Sequence, residues 1–264
     1  MVLRNALLLT FAAALLARGD SPSPETTAAF DRYIGLAEAE MQARSTPEDF
    51  LWLDQHRKEK TAVWMSQNFL IPEETLDHGK KVEIPGASIQ HWLGAVYLET
   101  ATFERVRDML LDYGNYKNFF KQQIVDSRLI KRDGDRFDAS LRLRKKQITQ
   151  VVLSAAIATE FKSLDTQRST ITTRSIRIGE AEHGNKTSDQ EISEQNGYLW
   201  RLNFYWRLEA ANPGVYAELE LISLSPSTGT LRPGRYLNGF QTFPRELAQS
   251  FLDGLAAAFP APRK

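Results

Sequence analysis

The sequence predicts an α+β domain: one curved antiparallel sheet of about seven strands, closed by a long C-terminal helix and preceded by a helical extension. Three observations carry this. Between Ser88 and Leu224 seven segments are rich in β-branched and aromatic residues, and several alternate apolar with polar side chains, the period of a strand with one buried face. Asp133-Gly134 and Asn212-Pro213-Gly214 separate neighbouring segments; both are turn sequences, so consecutive strands pair as hairpins. Leu247, Phe251, Leu255 and Phe259 recur every four residues, an apolar helix face that must be buried against the sheet.

Composition narrows the function. The chain has 264 residues, is 42% hydrophobic and 25% charged, close to the globular average, which argues against disorder and fibres. Lys+Arg and Asp+Glu are 33 each, so there is none of the strong positive field that nucleic-acid binding uses. The absence of cysteine excludes disulfides, thiol catalysis, Fe–S clusters and Cys-ligated zinc.

The elements follow in order. Residues 1–19 have the layout of a secretory signal: Arg4, the apolar run Ala6–Ala17, then small residues at Ala17 and Gly19. An uncleaved signal anchor is the alternative; the apolar run is shorter than the roughly 20 residues that a membrane span needs. Removal of 1–19 takes away two arginines and no acid. The expectation is an exported protein, periplasmic or extracellular, with no membrane span after cleavage.

Residues 20–86 read as a partly helical extension. Residues 20–30 look like a polar linker. Phe30, Ile34, Ala37 and Met41 then mark one helix face. Thr46-Pro47 looks like an N-cap with Pro at N1, opening a short helix through Phe50, Leu51 and Leu53. Gln55–Lys60 is a charge run suited to a solvated helix face or loop, and residues 61–86 show no sustained period.

The domain proper is read as 87–264. Ser88–Leu98 is the first strand; Thr102 then caps a helix with Phe103, Val106, Leu110 and Tyr113 on its apolar face. Strands follow at Ile124–Arg132, Asp135–Arg144, Val151–Phe161, Arg168–Ile178, Tyr198–Leu208 and Val215–Leu224. The sixth of the seven alternates most sharply: Tyr198, Trp200, Leu202, Phe204, Trp206 and Leu208 on one face, Arg201, Asn203, Tyr205 and Arg207 on the other.

This order, with Asp112, Tyr113, Tyr116 and Phe119 spaced as D-Y-x-x-Y-x-x-F after the first helix, resembles the START-like or SRPBCC superfamily over about residues 88–260. Lys121 stands where that family usually has proline. The resemblance implies a helix-grip fold with a deep cavity for an apolar ligand between sheet and C-terminal helix. It implies ligand-binding positions at Phe119, Phe120, Leu141, Trp200, Phe204, Trp206, Phe251 and Leu255, with a small hydrophobic molecule such as a lipid, isoprenoid or polyketide as partner. The superfamily contains both binders and enzymes, so the fold alone does not choose between them.

No residue pattern adds chemistry. The four histidines, His56, His78, His91 and His183, have no metal-ligand spacing, and no HExxH or GxSxG occurs; no catalytic residue, cofactor or metal is expected. His91 shares a strand face with Ile89, Leu93, Ala95 and Tyr97. It reads as a structurally satisfied histidine or, alternatively, as an acid/base group in the cavity of a cyclase-type enzyme. Gly229–Arg235 lacks the Gly-Lys-Ser/Thr ending of a phosphate loop, and Pro233 removes a donor. Asn185-Lys186-Thr187 is a glycosylation sequon. The charges Arg174, Arg177, Arg201, Arg207, Glu218 and Glu220 on three strands suit cross-strand ion pairs on a solvated face; the alternative turns an arginine into the cavity to hold an anionic head. The aromatic row divides between plain core and cavity lining. A closed interior, with the extension binding a protein partner, is the remaining reading.

Overall fold

A computed structural model describes residues 21–66, 68–71, 84–145, 151–180, 198–227 and 242–262. The signal-like segment, His78, His183, the sequon and the Gly229–Arg235 stretch lie outside the described residues.

In chain order the elements are α1 (Pro24–Ala43), α2 (Trp52–Gln55), α3 (Arg57–Ser66), β1 (Asn68–Ile71), β2 (Ala87–Leu98), α4 (Phe103–Leu111), α5 (Tyr116–Phe119), β3 (Ile124–Asp133), β4 (Arg136–Lys145), β5 (Val151–Ser163), β6 (Arg168–Glu180), β7 (Arg201–Ala210), β8 (Val215–Pro226) and α6 (Phe243–Ala258). The strands form one sheet in the order β1-β2-β8-β7-β6-β5-β4-β3, every neighbour antiparallel. The seven expected strands are all present. The eighth, β1, comes from the stretch without a sustained period and pairs with β2, Asn68 opposite Val96. Among the described residues no helix is long and apolar enough to cross a membrane.

The connections follow their local chemistry. Gly134 has φ +59° in the β3–β4 turn, a conformation glycine adopts without steric cost. Gly214 has φ +89°, and a Cβ there would lie 2.6 Å from the carbonyl oxygen of Leu98, so only glycine lets the β7–β8 turn pass the end of β2. The Thr102 hydroxyl accepts from the Arg105 N–H and caps α4.

The extension departs from expectation at two places. The 20–30 segment is not a linker: Ser23 caps a helix that begins at Pro24, its hydroxyl accepting from the Thr26 N–H at 3.0 Å. Thr46 does not open a helix: its N–H and its hydroxyl both donate to Asp49 Oδ1 at 2.8 Å. That local turn competes with helix formation, and the helix contracts to Trp52–Gln55.

Both faces of the sheet are covered. The concave face holds the main core: Val96 and Leu98 of β2, Leu141 and Leu143 of β4, Ala155 and Ile157 of β5, Ile171 of β6, Phe204 and Trp206 of β7, and Leu219 and Leu221 of β8 meet Leu247, Phe251 and Leu255 of α6. On the outer face α1 lays Phe30, Tyr33, Ala37 and Met41 against Ile89, Tyr205, Ile222 and Leu224. Beside it Phe50, Leu51, Leu53 and Val63 pack on Ala95 and Tyr97.

Candidate functional site

The concave site is built around Phe251. Its ring lies 4.7 Å from that of Phe120, 5.2 Å from Phe204, 6.0 Å from Trp206 and 6.1 Å from Tyr116, all edge-on, the geometry aromatic quadrupoles prefer. Each element contributes for a local reason. β7 alternates, so Leu202, Phe204, Trp206 and Leu208 share its inner side. The α4–α5 turn brings Tyr113, Tyr116 and Phe120 under α6. Gly254 permits that approach, since a Cβ there would lie 2.5 Å from the Phe120 ring.

Of the eight positions implied by the resemblance, Phe120, Leu141, Phe204, Trp206, Phe251 and Leu255 are fully buried in this one core, and Phe119 packs against it partly exposed. Trp200 does not join them. It precedes the first residue of β7, and it packs on the outer face with Phe30, Tyr33 and Tyr205. The alternation read from the sequence held only from residue 201 onward.

The concave face carries few polar groups. Tyr113 Oη lies 3.3 Å from Thr173 Oγ1, which lies 2.8 Å from Thr159 Oγ1. Burial pushes the Tyr113 hydroxyl above its ordinary pKa, so it stays a neutral hydroxyl able to donate or accept. At the end of β4, Lys145 is buried and donates to Thr242 and to Glu246 of α6.

Where the extension covers it, the outer face is a buried polar network, not the solvated face expected; Arg174 and Arg177 of β6 remain exposed. Glu220 receives Arg44, and its Oε2 lies 3.0 Å from His91 Nε2. His91 Nδ1 in turn meets Tyr33 Oη at 3.1 Å. Glu218 accepts the N–H groups of Trp52 and Leu53 at 3.0 and 3.3 Å. Arg207 donates to the carbonyls of Phe50 at 2.7 Å, Met41 at 2.8 Å and Arg44, and its guanidinium stacks 4.3 Å above the Phe50 ring. Further along, Glu38 accepts from Tyr205 and Arg174. Arg207, Glu218 and Glu220 are therefore neither solvated nor turned toward the concave face. They bind the extension.

The two glutamates differ although they stand two residues apart. Burial pushes Glu218 up to about 7, against the pull of Arg44 and the two backbone N–H groups. Burial acts on Glu220 as well, but the His91 hydrogen bond and Arg44 outweigh it and hold the carboxyl at about 2. Burial and the neighbouring Arg44 bring Arg207 down to about 10.

His91 lies on this outer face, 3% exposed, with both ring nitrogens partnered. It has the structurally satisfied role, and an acid/base in the concave site cannot come from it. Sequence reasoning missed Tyr33, Arg44 and Lys145. Arg44 and Lys145 had a signal: each is a charge immediately beyond an apolar helical or alternating pattern.

No family model and no curated protein sequence matches the chain. Solved structures do. A STAR-related lipid transfer protein from Xanthomonas axonopodis is 14% identical over 66% of this chain and 95% of its own, with a TM-score of 0.45. The Zhui aromatase/cyclase from Streptomyces sp. R1128 is 11% identical over 65% and 93%, at 0.47. The human StarD13 lipid transfer and protein localization domain is 10% identical over 79% and 98%, at 0.45. With TM-scores below 0.5 these likenesses bear no weight of their own. The sheet order and the seated α6 define the fold. It is a helix grip, a curved antiparallel sheet closed on a long C-terminal helix.

Proposed function

We propose that the domain binds a small apolar or amphipathic molecule between the concave face and α6. One observation carries the reading: the rings of Tyr116 and Phe120 at α5 and of Phe204 and Trp206 on β7 converge on Phe251 of α6, with a few hydroxyls on the same face. Ligand sites of small molecules have this make-up, mostly apolar with few polar groups. Burying about 300 Å² of ligand at about 25 cal/mol per Å² gives roughly 7 kcal/mol before association costs, hence micromolar affinity at best.

Titration with fatty acids, isoprenoids and polycyclic aromatics tests this. A ligand is expected to change Trp206 fluorescence and raise the melting temperature. A Trp206→Phe variant should lose most of the fluorescence response and keep the thermal shift. No response to any member of the panel removes the reading. We also propose export through residues 1–19, which predicts a mature N-terminus near Asp20; protein from the cytosol with Met1 intact would refute it.

A further inference from the structure

The inner side of β4 runs Phe137, Ala139, Leu141, Leu143 and then Lys145, all buried. Four apolar side chains on the concave face are followed by a fifth that carries a charge. Lysine is almost never so buried unless paired. Here the pair is Glu246, in the first turn of α6, and Thr242 accepts a second bond at 3.0 Å.

The pair is asymmetric. The Lys145 side chain is 6% exposed, that of Glu246 37%. Glu246 can turn outward and be hydrated; Lys145 cannot. The ammonium must therefore always have an anion beside it, but that anion need not be Glu246.

We propose that the ligand of the concave site carries an anionic head, a carboxylate or phosphate ester, that replaces Glu246 on Lys145 while its apolar tail runs inward along Leu143 and Leu141 toward Phe251. This rests on the ligand-binding reading above and adds the class of head group. Leu141 is four residues from Lys145, about 13 Å along a strand, so head and tail contacts are separated by the length of a medium acyl chain. Exchange of one anion for another keeps the buried charge compensated. A neutral head cannot replace Glu246 without leaving the ammonium unpaired, so the site discriminates by charge.

Binding of decanoate, decyl phosphate and decanol to the full chain tests this, by calorimetry and thermal shift. The wild type is expected to bind decanoate or decyl phosphate about tenfold more tightly than decanol, the factor that about 1.4 kcal/mol of differential binding gives. Lys145→Met should bring the anionic probe down to the affinity of decanol and leave decanol unchanged. Glu246→Gln removes the internal competitor, so it should tighten the anionic probe severalfold and again leave decanol alone. Both readings predict lower stability of the unliganded Glu246→Gln protein, since its buried ammonium loses its partner; a purely structural ion pair predicts no gain in affinity for the anionic probe. Preference for decanoate alone identifies a carboxylate, preference for decyl phosphate alone a phosphate, and either supports the assignment. Equal binding of all three probes, or weaker anion binding by Glu246→Gln, overturns the charged head and leaves an apolar site. No binding of any probe by the wild type overturns both.

Discussion

The sheet buries both of its faces, and it does so by opposite chemistry. On the concave side the partner is α6, and the contact is a set of rings and aliphatic chains around Phe251. On the outer side the partners are α1 and α2, and the contact combines an apolar strip from α1 with charged groups that each find a specific partner. The first kind of contact is non-directional and scales with apolar area. The second gains little net energy when intact but is costly to break, since each lost partner leaves a desolvated group behind. The concave contact thus depends on apolar area and shape, whereas the outer face specifies its partner group by group: the end of α1 and the turn after it, whose carbonyls Arg207 holds.

The largest expected effect tests the concave side. Phe251→Ala removes the ring that four others surround and should cost about 3–5 kcal/mol in chemical denaturation, through lost transfer energy and the cavity left behind. A loss below about 1 kcal/mol would mean that the interior collapses freely around position 251.

Arg207→Met makes the matching test on the outer side. It leaves the carbonyls of Met41, Arg44 and Phe50 without their donor, and about 3 kcal/mol is expected. The pattern of loss separates the two faces. Hydrogen exchange should accelerate in the last turn of α1 and at residues 50–53, while the strands keep their protection. Uniform acceleration would show that the extension is integral to the whole core.

These faces were unequally legible in the sequence. The concave face was read well, because period-2 alternation in β4 and β7 and a four-residue spacing in α6 leave no other consistent arrangement. Trp200 was misplaced because its position fits the alternation of β7 although the strand begins one residue later. The outer face was misread for a different reason. Alternation shows that Arg207, Glu218 and Glu220 share the face opposite the core, but not whether something covers it. Their partners lie about 160 to 180 residues earlier, at Met41, Arg44, Phe50, Trp52 and Leu53, and no local pattern links positions so far apart. On β2 the period places Ile89, His91, Ala95 and Tyr97 on one side, as found, and of the two readings of His91 the satisfied one holds, because that side looks at α1 and the 50–53 segment.

Acid titration sharpens the contrast, because among the described residues the strongly shifted carboxylates lie on the outer side: Glu220 is lowered, and Glu218 and Glu209 are raised. Glu220 titrates at about 2 in the folded protein against an ordinary 4.5. Its contribution is complete above 4.5 and is lost as pH falls toward 2, because the unfolded chain binds the proton first. Glu218 titrates at about 7. Its contribution is complete below 4.5 and is lost as pH rises toward 7, since the unfolded chain then ionises first. Glu220→Gln should therefore flatten the stability profile below pH 4.5, and Glu218→Gln should reduce its slope between 4.5 and 7, where Glu209, also raised to about 7, supplies the remainder. If both variants change the same limb, the two carboxyls titrate as one unit and the separate assignment fails.

The smallest expected effect isolates one bond of the outer network. Glu220 is a carboxylate at neutral pH and can only accept, so the facing His91 Nε2 must carry a proton. A ring with its proton on Nε2 alone requires Nδ1 to accept, and the expected donor is Tyr33 Oη across 3.1 Å. Tyr33→Phe keeps the ring that packs beside His91, with centroids 6.1 Å apart, and deletes only that donor. The cost should be about 1 kcal/mol, a single buried neutral hydrogen bond. Nitrogen NMR of His91 should show the Nε2–H tautomer in the wild type. In the variant the same tautomer should persist, since Glu220 still fixes it, while the Nδ1 resonance moves as its donor disappears. A Tyr33→Phe variant as stable as the wild type, with an unmoved Nδ1 signal, would mean that the Tyr33–His91 contact adds nothing to the docking of α1, which then rests on its apolar strip, Glu38 and the Met41 carbonyl.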